Sequence, residues 1–407
     1  MTRDPAQIGP FKHFWAAPHR PLFLAGIIWA LVAIIWWPLL QAPVGLATPS
    51  LWHAHEMLVG FGGAAVAGYL LTALPNWTGT EPLQGRPLQA LLILWVLGRL
   101  STTLAIPPLL QVAVNSAFFL YLAMLIGLPI LAARSFHKLG FVAAILVFGL
   151  GDAIFLSRMA KADLWEGKIA AQAGAIAFAL LITTIASRAI PGFTRNALRK
   201  RGNSLSDDDL TSRCWRPAQV SLAASLSFQI FELPNCAGAL LGLAALLMLG
   251  GIRQWRTRET LHDPLLLMLH VNFFWVPLGC AIVGFALLDL TPYPIADGLH
   301  ILTVGAMSGL IMAISARAAA TLRDDRLSVG RWFLIAFASL WASLVVRLLA
   351  PLAPDQYMAF IALSGLLWCL SWAVFIFGFR AALTGPPRRP VLSGRKTNPA
   401  QTLRPKV

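Results

Sequence analysis

The chain has 407 residues, 32 Lys/Arg against 17 Asp/Glu and a net charge of +15, yet only 12 % of its side chains are charged, where ordinary soluble domains carry roughly 25 %. With 57 % hydrophobic residues and a mean hydropathy of +0.70, it holds more apolar surface than an aqueous core buries, which excludes a soluble globule and leaves a lipid bilayer as its solvent. The basic excess does not mark a nucleic-acid binder either, because apolar runs of membrane-spanning length separate the cations.

The first such run, from Pro21 to Leu40, follows Arg3, Lys12 and Arg20. It matches the ~20 residues that cross a bilayer and exceeds the roughly 7–15 of a signal-peptide core, so it reads as a transmembrane helix. Further apolar segments follow at 52–74, 86–105, 107–132, 138–158, 168–190, 217–233, 235–252, 264–288, 294–316, 330–350 and 356–379. Inside hydrocarbon every backbone polar group must be paired, and a barrel would show shorter alternating strands, so the expectation is an all-α, polytopic membrane protein of about twelve transmembrane helices. The connections after the third and seventh segments are tight enough that ten or eleven spans also fit.

The basic residues test that layout. With the N-terminus inside, 27 of the 32 Lys and Arg fall on the inner side, as short cytoplasmic connections require. The exceptions are Arg158, Lys161 and Lys168 in one outer loop, and Arg99 and Arg347 near the outer ends of the third and eleventh segments. The organisation is then a cytoplasmic segment over 1–20, a transmembrane domain over 21–380 with a cytoplasmic loop at about 191–216, and a basic, disordered cytoplasmic tail over 381–407 suited to anionic lipid. Cys214, Cys236, Cys280 and Cys369 stand far apart and form no metal, redox or haem-attachment motif. Any haem would be held by coordination alone.

Ionisable groups inside spans are costly and mark sites. Of eight histidines, His53, His55, His270 and His300 lie in apolar segments. His53 and His55 open the second in the run LWHAHEMLVGFGG, and His300 lies in the tenth in DGLHILTVGAMSG. Both segments run inward, which places these three in the outer half, where opposed imidazoles clamp a haem or share a metal. Residues two apart on a helix point about 200° apart, so His53 and His55 do not both face one iron. Gly60 and Gly62 lie seven residues beyond them, so either face admits a macrocycle or a close helix. Arg99 and Arg347 each sit one segment after a histidine segment, and a guanidinium suits an outward-turned haem propionate. Laying HEMLVG from His55 over HILTVG from His300 suggests an internal repeat with an offset of eight helices, within an array of three four-helix units.

The string WHAHEMLVGF from Trp52, continuing to LLTALPNWTG at Gly79, resembles the signature of the NnrS family of polytopic bacterial proteins. RPLFL at Arg20, SRAIPGFTRNA at Ser187, LHVNFFWVPLG at Leu269 and HILTVGAM at His300 agree with it. The likeness covers nearly the whole chain, departing at AATLR from Ala319 and at FLSR from Phe155. It implies a bacterial inner-membrane protein of nitric oxide metabolism, with haem and copper as cofactors. More distantly, the second and tenth segments resemble those of haem-copper oxidase catalytic subunits, with His53 and His300 falling on the low-spin haem ligands. Gly298 falls where the high-spin haem ligand would be, and the copper-site histidines have no counterpart.

These resemblances imply a non-covalent haem b between His53 and His300, with Arg99 and Arg347 near its propionates. His55, with Glu56 and Met57 beside it, is then the candidate copper site, since a thioether and an imidazole favour that metal. His270 is a further candidate ligand. The partners are the bilayer, nitrogen oxides and a membrane electron donor, and the role is defence against nitrosative stress or denitrification-linked redox chemistry. Two other classes fit the same pattern: a transporter or metal-handling permease, and a sensor or assembly factor for nitrogen-oxide metabolism.

Overall fold

The computed structural model describes residues 13–384, apart from Pro43, Ala47, Ala105, Ala162, Asp207, Asp324 and Asp325. Most of the expected tail therefore lies outside the described residues. Apolar runs with internally paired backbones give a chain of helical rods. In order they are α1 (His19–Ile34, prolonged by a π turn over Ile35–Leu39), α2 (Pro49–Thr78), α3 (Arg86–Thr103), α4 (Pro108–Ala132), α5 (Leu139–Ala160) and α6 (Leu164–Lys200). There follow α7 (Trp215–Ile230), α8 (Pro234–Ile252), α9 (Pro264–Leu287), α10 (Ile295–Ala319), α11 (Arg331–Leu349) and α12 (Tyr357–Thr384). A small antiparallel hairpin, β1 (Thr321–Arg323) with β2 (Arg326–Ser328), joins α10 to α11, with Leu322 opposite Leu327.

Among the described residues ten rods are long and apolar enough to cross a membrane. The expectation of about twelve spans differs at α3 and α7. Arg86 and Arg99 dilute the hydropathy of α3, and α7 has only 16 residues.

Local chemistry sets the ends. Thr48 caps α2 through its hydroxyl, which accepts from the Leu51 N–H, with Pro49 in the first turn. Asp263 does the same for α9 through the Leu265 and Leu266 N–H groups. α2 stops at Gly79, whose φ of +71° is a left-handed cap that favours glycine. α6 was expected to end near Pro191 but continues to Lys200. Proline removes a single rung of the ladder, and the helix-forming residues after it carry the rod on.

The rods are not equivalent. In their most apolar stretches α2 is 83 % buried and α10 67 %, against 28 % for α5 and for α12. α2 and α10 are thus interior rods, while exposed apolar side chains such as Leu109 and Leu246 face outward, as lipid contact requires. α8 and α9 pack backbone against backbone at Gly238 and Gly284. A β-carbon on Gly238 would lie 2.7 Å from the Gly284 carbonyl oxygen, and one on Gly284 2.8 Å from that of Gly238. Backbone does not give way, so Gly238→Val is expected to destabilise the protein by about 1–3 kcal/mol. Thermal unfolding in detergent measures it, and an unchanged midpoint would contradict the packing.

Candidate functional site

α2 and α10 are built alike where their histidines stand. Each begins as an α-helix, then widens to a π-helix just beyond a histidine, over Glu56–Gly62 after His55 and over Ile301–Ser308 after His300. Such segments re-aim side chains and recur at functional sites. A glycine in each admits an aromatic ring from the preceding rod. A β-carbon on Gly60 would lie 2.9 Å from the Trp29 ring of α1, and one on Gly305 2.9 Å from the Trp275 ring of α9. The construction α1/α2/α3 therefore returns as α9/α10/α11, the eight-helix offset read from the sequence. α6, the corresponding rod of a middle unit, is plain α-helix throughout.

His53 and His300, expected to meet, do so. The His53 and His300 rings are 6.5 Å apart between centroids and within 13° of parallel. His300 Nδ1 lies 2.8 Å from the Ala296 carbonyl oxygen. A carbonyl only accepts, so Nδ1 carries the proton and Nε2 keeps its lone pair, the tautomer that metal-binding histidines adopt. His53 Nδ1 is buried without a hydrogen-bond partner. Trp37, just past the end of α1, packs its ring 5.4 Å from that of His53. One turn before His300, Asp297 accepts from the Arg347 guanidinium and, at 3.1 Å, from the Tyr357 hydroxyl. Arg347 therefore stands beside the pair already held by a carboxylate.

A second group lies deeper. His55 is sandwiched between carboxylates, with Nδ1 2.7 Å from Glu56 Oε1 and Nε2 2.7 Å from Asp152 Oδ1 of α5. Ionised carboxylates only accept, so an imidazolium donating from both nitrogens satisfies this geometry. Glu56, fully buried, also accepts from Thr102 Oγ1 at 2.6 Å, Trp29 Nε1 at 2.6 Å and Arg99 Nη1 at 2.8 Å. Arg99 Nη2 continues to Asn115 Oδ1 at 2.6 Å. The result is one chain of contacts, Asp152–His55–Glu56–Arg99–Asn115, across α5, α2, α3 and α4. Two negative and two positive groups cancel, which is what permits them inside the apolar interior. Phe155 covers His55, with ring centroids 5.3 Å apart.

A family model described as NnrS protein matches residues 13–387. The chain belongs to the NnrS family. No curated protein matches it. The matched span takes in every rod from α1 to α12, so both the histidine pair and the buried chain belong to the NnrS region.

The remaining candidate residues of this NnrS chain are dispersed. Met57 is buried two residues past His55, and so turned away from it on the rod. His270 lies among other partners, with Nε2 2.8 Å from Thr194 Oγ1, Nδ1 2.9 Å from Thr257 Oγ1 and its ring against Trp255. Among the described residues no three His, Cys, Asp or Glu side chains converge as a metal cluster. The sequence reading missed Asp152, Asp297 and Asn115, and undervalued Glu56. The rule that singled out the intramembrane histidines, applied equally to carboxylates, finds all three acids.

Proposed function

We propose that this NnrS protein holds a b-type haem without covalent attachment, which His53 and His300 would hold between them, and serves the redox handling of nitric oxide or related nitrogen oxides in the bacterial inner membrane. The observation that carries this reading is the histidine pair. Two imidazoles bound trans to one metal, with metal–nitrogen bonds of about 2.0–2.1 Å, stand roughly 6–6.5 Å apart between ring centroids, and His53 and His300 stand 6.5 Å apart. The Ala296 carbonyl fixes the ligating tautomer of His300, and the orphaned His53 Nδ1 marks a ring whose surroundings are incomplete. Bound there, a haem supplies one-electron chemistry, with its potential set by the two imidazoles and the charges around them.

The protein's own groups do the rest. Arg347, anchored by Asp297 and Tyr357, is the cation that would meet a propionate. Arg99 is withdrawn from the propionate role because Glu56 and Asn115 take its donors. His55 is withdrawn as a copper ligand because both its nitrogens face carboxylates, and both His270 nitrogens face threonine hydroxyls. Cytoplasmic termini follow from the asymmetry of the basic residues.

Purified protein is expected to contain stoichiometric haem with a six-coordinate Soret band. The band is lost in His300→Ala and kept in His137→Ala, and identical spectra for the two variants reject the axial pair. A deletion strain is expected to be more sensitive to nitric oxide, with rescue by wild type but not by His300→Ala. A permease reading draws on the two interrupted interior rods, since transporters break helices at their binding sites. Protein purified without haem, yet moving a metal across vesicles, would favour it.

A further inference from the structure

The two rings that face each other are not held alike. His300 Nδ1 donates to the Ala296 carbonyl oxygen, 2.8 Å away and one turn back on the same rod. That bond fixes the tautomer and the rotation of the ring, and it makes Nε2 the more basic ligand. The start of α10 is itself tied to the next two rods. Asp297 accepts from Arg347 of α11 and from the Tyr357 hydroxyl of α12, and Tyr293, just ahead of α10, donates its hydroxyl to the Leu348 carbonyl oxygen at 3.0 Å.

His53 lacks this support. Its Nδ1 is buried without a partner, and among the described residues neither ring nitrogen makes a hydrogen bond. Its ring contacts are with Trp37 at 5.4 Å and His300 at 6.5 Å between centroids. A neutral imidazole that binds a metal through one nitrogen carries its proton on the other. Whichever nitrogen of His53 does so, the remaining N–H finds no acceptor, and a buried donor left unsatisfied weakens the bound arrangement. Outer partners of this kind change metal affinity by about 10–100-fold.

We propose that the pair is unequal: His300 is the fixed ligand, and His53 is the releasable one, which gives way to a neutral diatomic of the nitric oxide class. The assignment rests on the haem reading above and adds to it the histidine that makes room for a substrate. Two equally firm imidazoles leave no place for a third ligand, whereas one that lets go opens a place while the other stays. In the exchange His53 departs with its lone pair and its proton, the diatomic donates the pair that replaces it, and no electron is transferred.

Carbon monoxide, a stable diatomic, is the probe, applied to reduced full-length protein. In wild type its binding rate is expected to level off at high gas concentration, at the rate with which His53 lets go. His53→Gly is expected to keep its haem, to turn five-coordinate and to bind carbon monoxide at least tenfold faster. His300→Gly is expected to retain at least tenfold less haem than His53→Gly. Free imidazole is expected to return both variants to a six-coordinate spectrum, the sign that each still folds. Haem-loaded wild type that binds no carbon monoxide would overturn the unequal pair, as would equal haem retention in the two variants or the reverse order, and each of these leaves the haem reading standing. Wild type purified without haem would overturn both.

Discussion

Glu56→Ala is expected to be the most damaging single substitution in the membrane interior. The Glu56 carboxylate is fully buried and accepts from groups on three rods, Trp29 of α1, His55 of its own rod, and Arg99 and Thr102 of α3. Removing it leaves the Arg99 guanidinium, with a side chain 3 % exposed, facing apolar surroundings with only the neutral Asn115 as partner. Deleting one member of a buried ion pair costs about 3–5 kcal/mol because the survivor stays desolvated and uncompensated. The orphaned Trp29 N–H and Thr102 hydroxyl add to that. The outcome is measured as folded, monodisperse protein recovered in detergent and as its thermal midpoint. Glu56→Leu/Arg99→Met removes both charges and replaces them with apolar bulk, and is expected to recover much of the loss, since apolar replacement of a whole buried pair is often neutral. If the double variant were no better than Glu56→Ala, the lost charge balance would not be the cause.

The fold was legible in the sequence because hydrocarbon leaves a chain few options. Long apolar runs broken by Pro, Gly and Arg gave rods close to their observed limits, and α3 and α7 fall short as spans through the charge of one and the length of the other, which the pattern of breaks alone does not weigh. The meeting of His53 with His300 was also legible, through matched depth on two rods. The partners of the charged groups were not. Whether Arg99 turns outward to a ligand or inward to Glu56 depends on the rotation of α3 against α2, and that rotation is set by the contact of Trp29 and Arg99 with the bare face of Gly60. Sequence spacing fixes which residues share a face within one helix but not which face of the next helix they meet. The π-helical turns were hidden for a related reason. The two glycines of EMLVGFG weaken an α-helix without specifying a π turn, and the widening follows from tertiary contacts around Glu56 and Gly60. Asp152 was passed over because it sits alone in α5, in an otherwise apolar run, and gains meaning only from His55 across the interface.

The chain from Asp152 to Arg99 makes a further prediction, which separates one charge-balanced unit from two adjacent pairs. Asp152 and Arg99 share no hydrogen bond and are linked only through His55 and Glu56. Two independent pairs would give additive destabilisation in Asp152→Asn and Arg99→Met, within about 0.3–0.5 kcal/mol. A single unit behaves otherwise. Asp152→Asn leaves His55 and Arg99 against Glu56 alone, an excess of one positive charge, and Arg99→Met leaves an excess of one negative charge. Each excess sits in a low-dielectric interior where it is poorly screened. The double variant returns the remaining His55 and Glu56 to neutrality, so it is expected to be less destabilised than the sum of the singles by about 0.5–3 kcal/mol. Unfolding of the four proteins in one detergent measures the coupling. Additivity would break the chain at His55, and would make the Asp152–His55 and Glu56–Arg99 contacts separate devices that happen to share a rod.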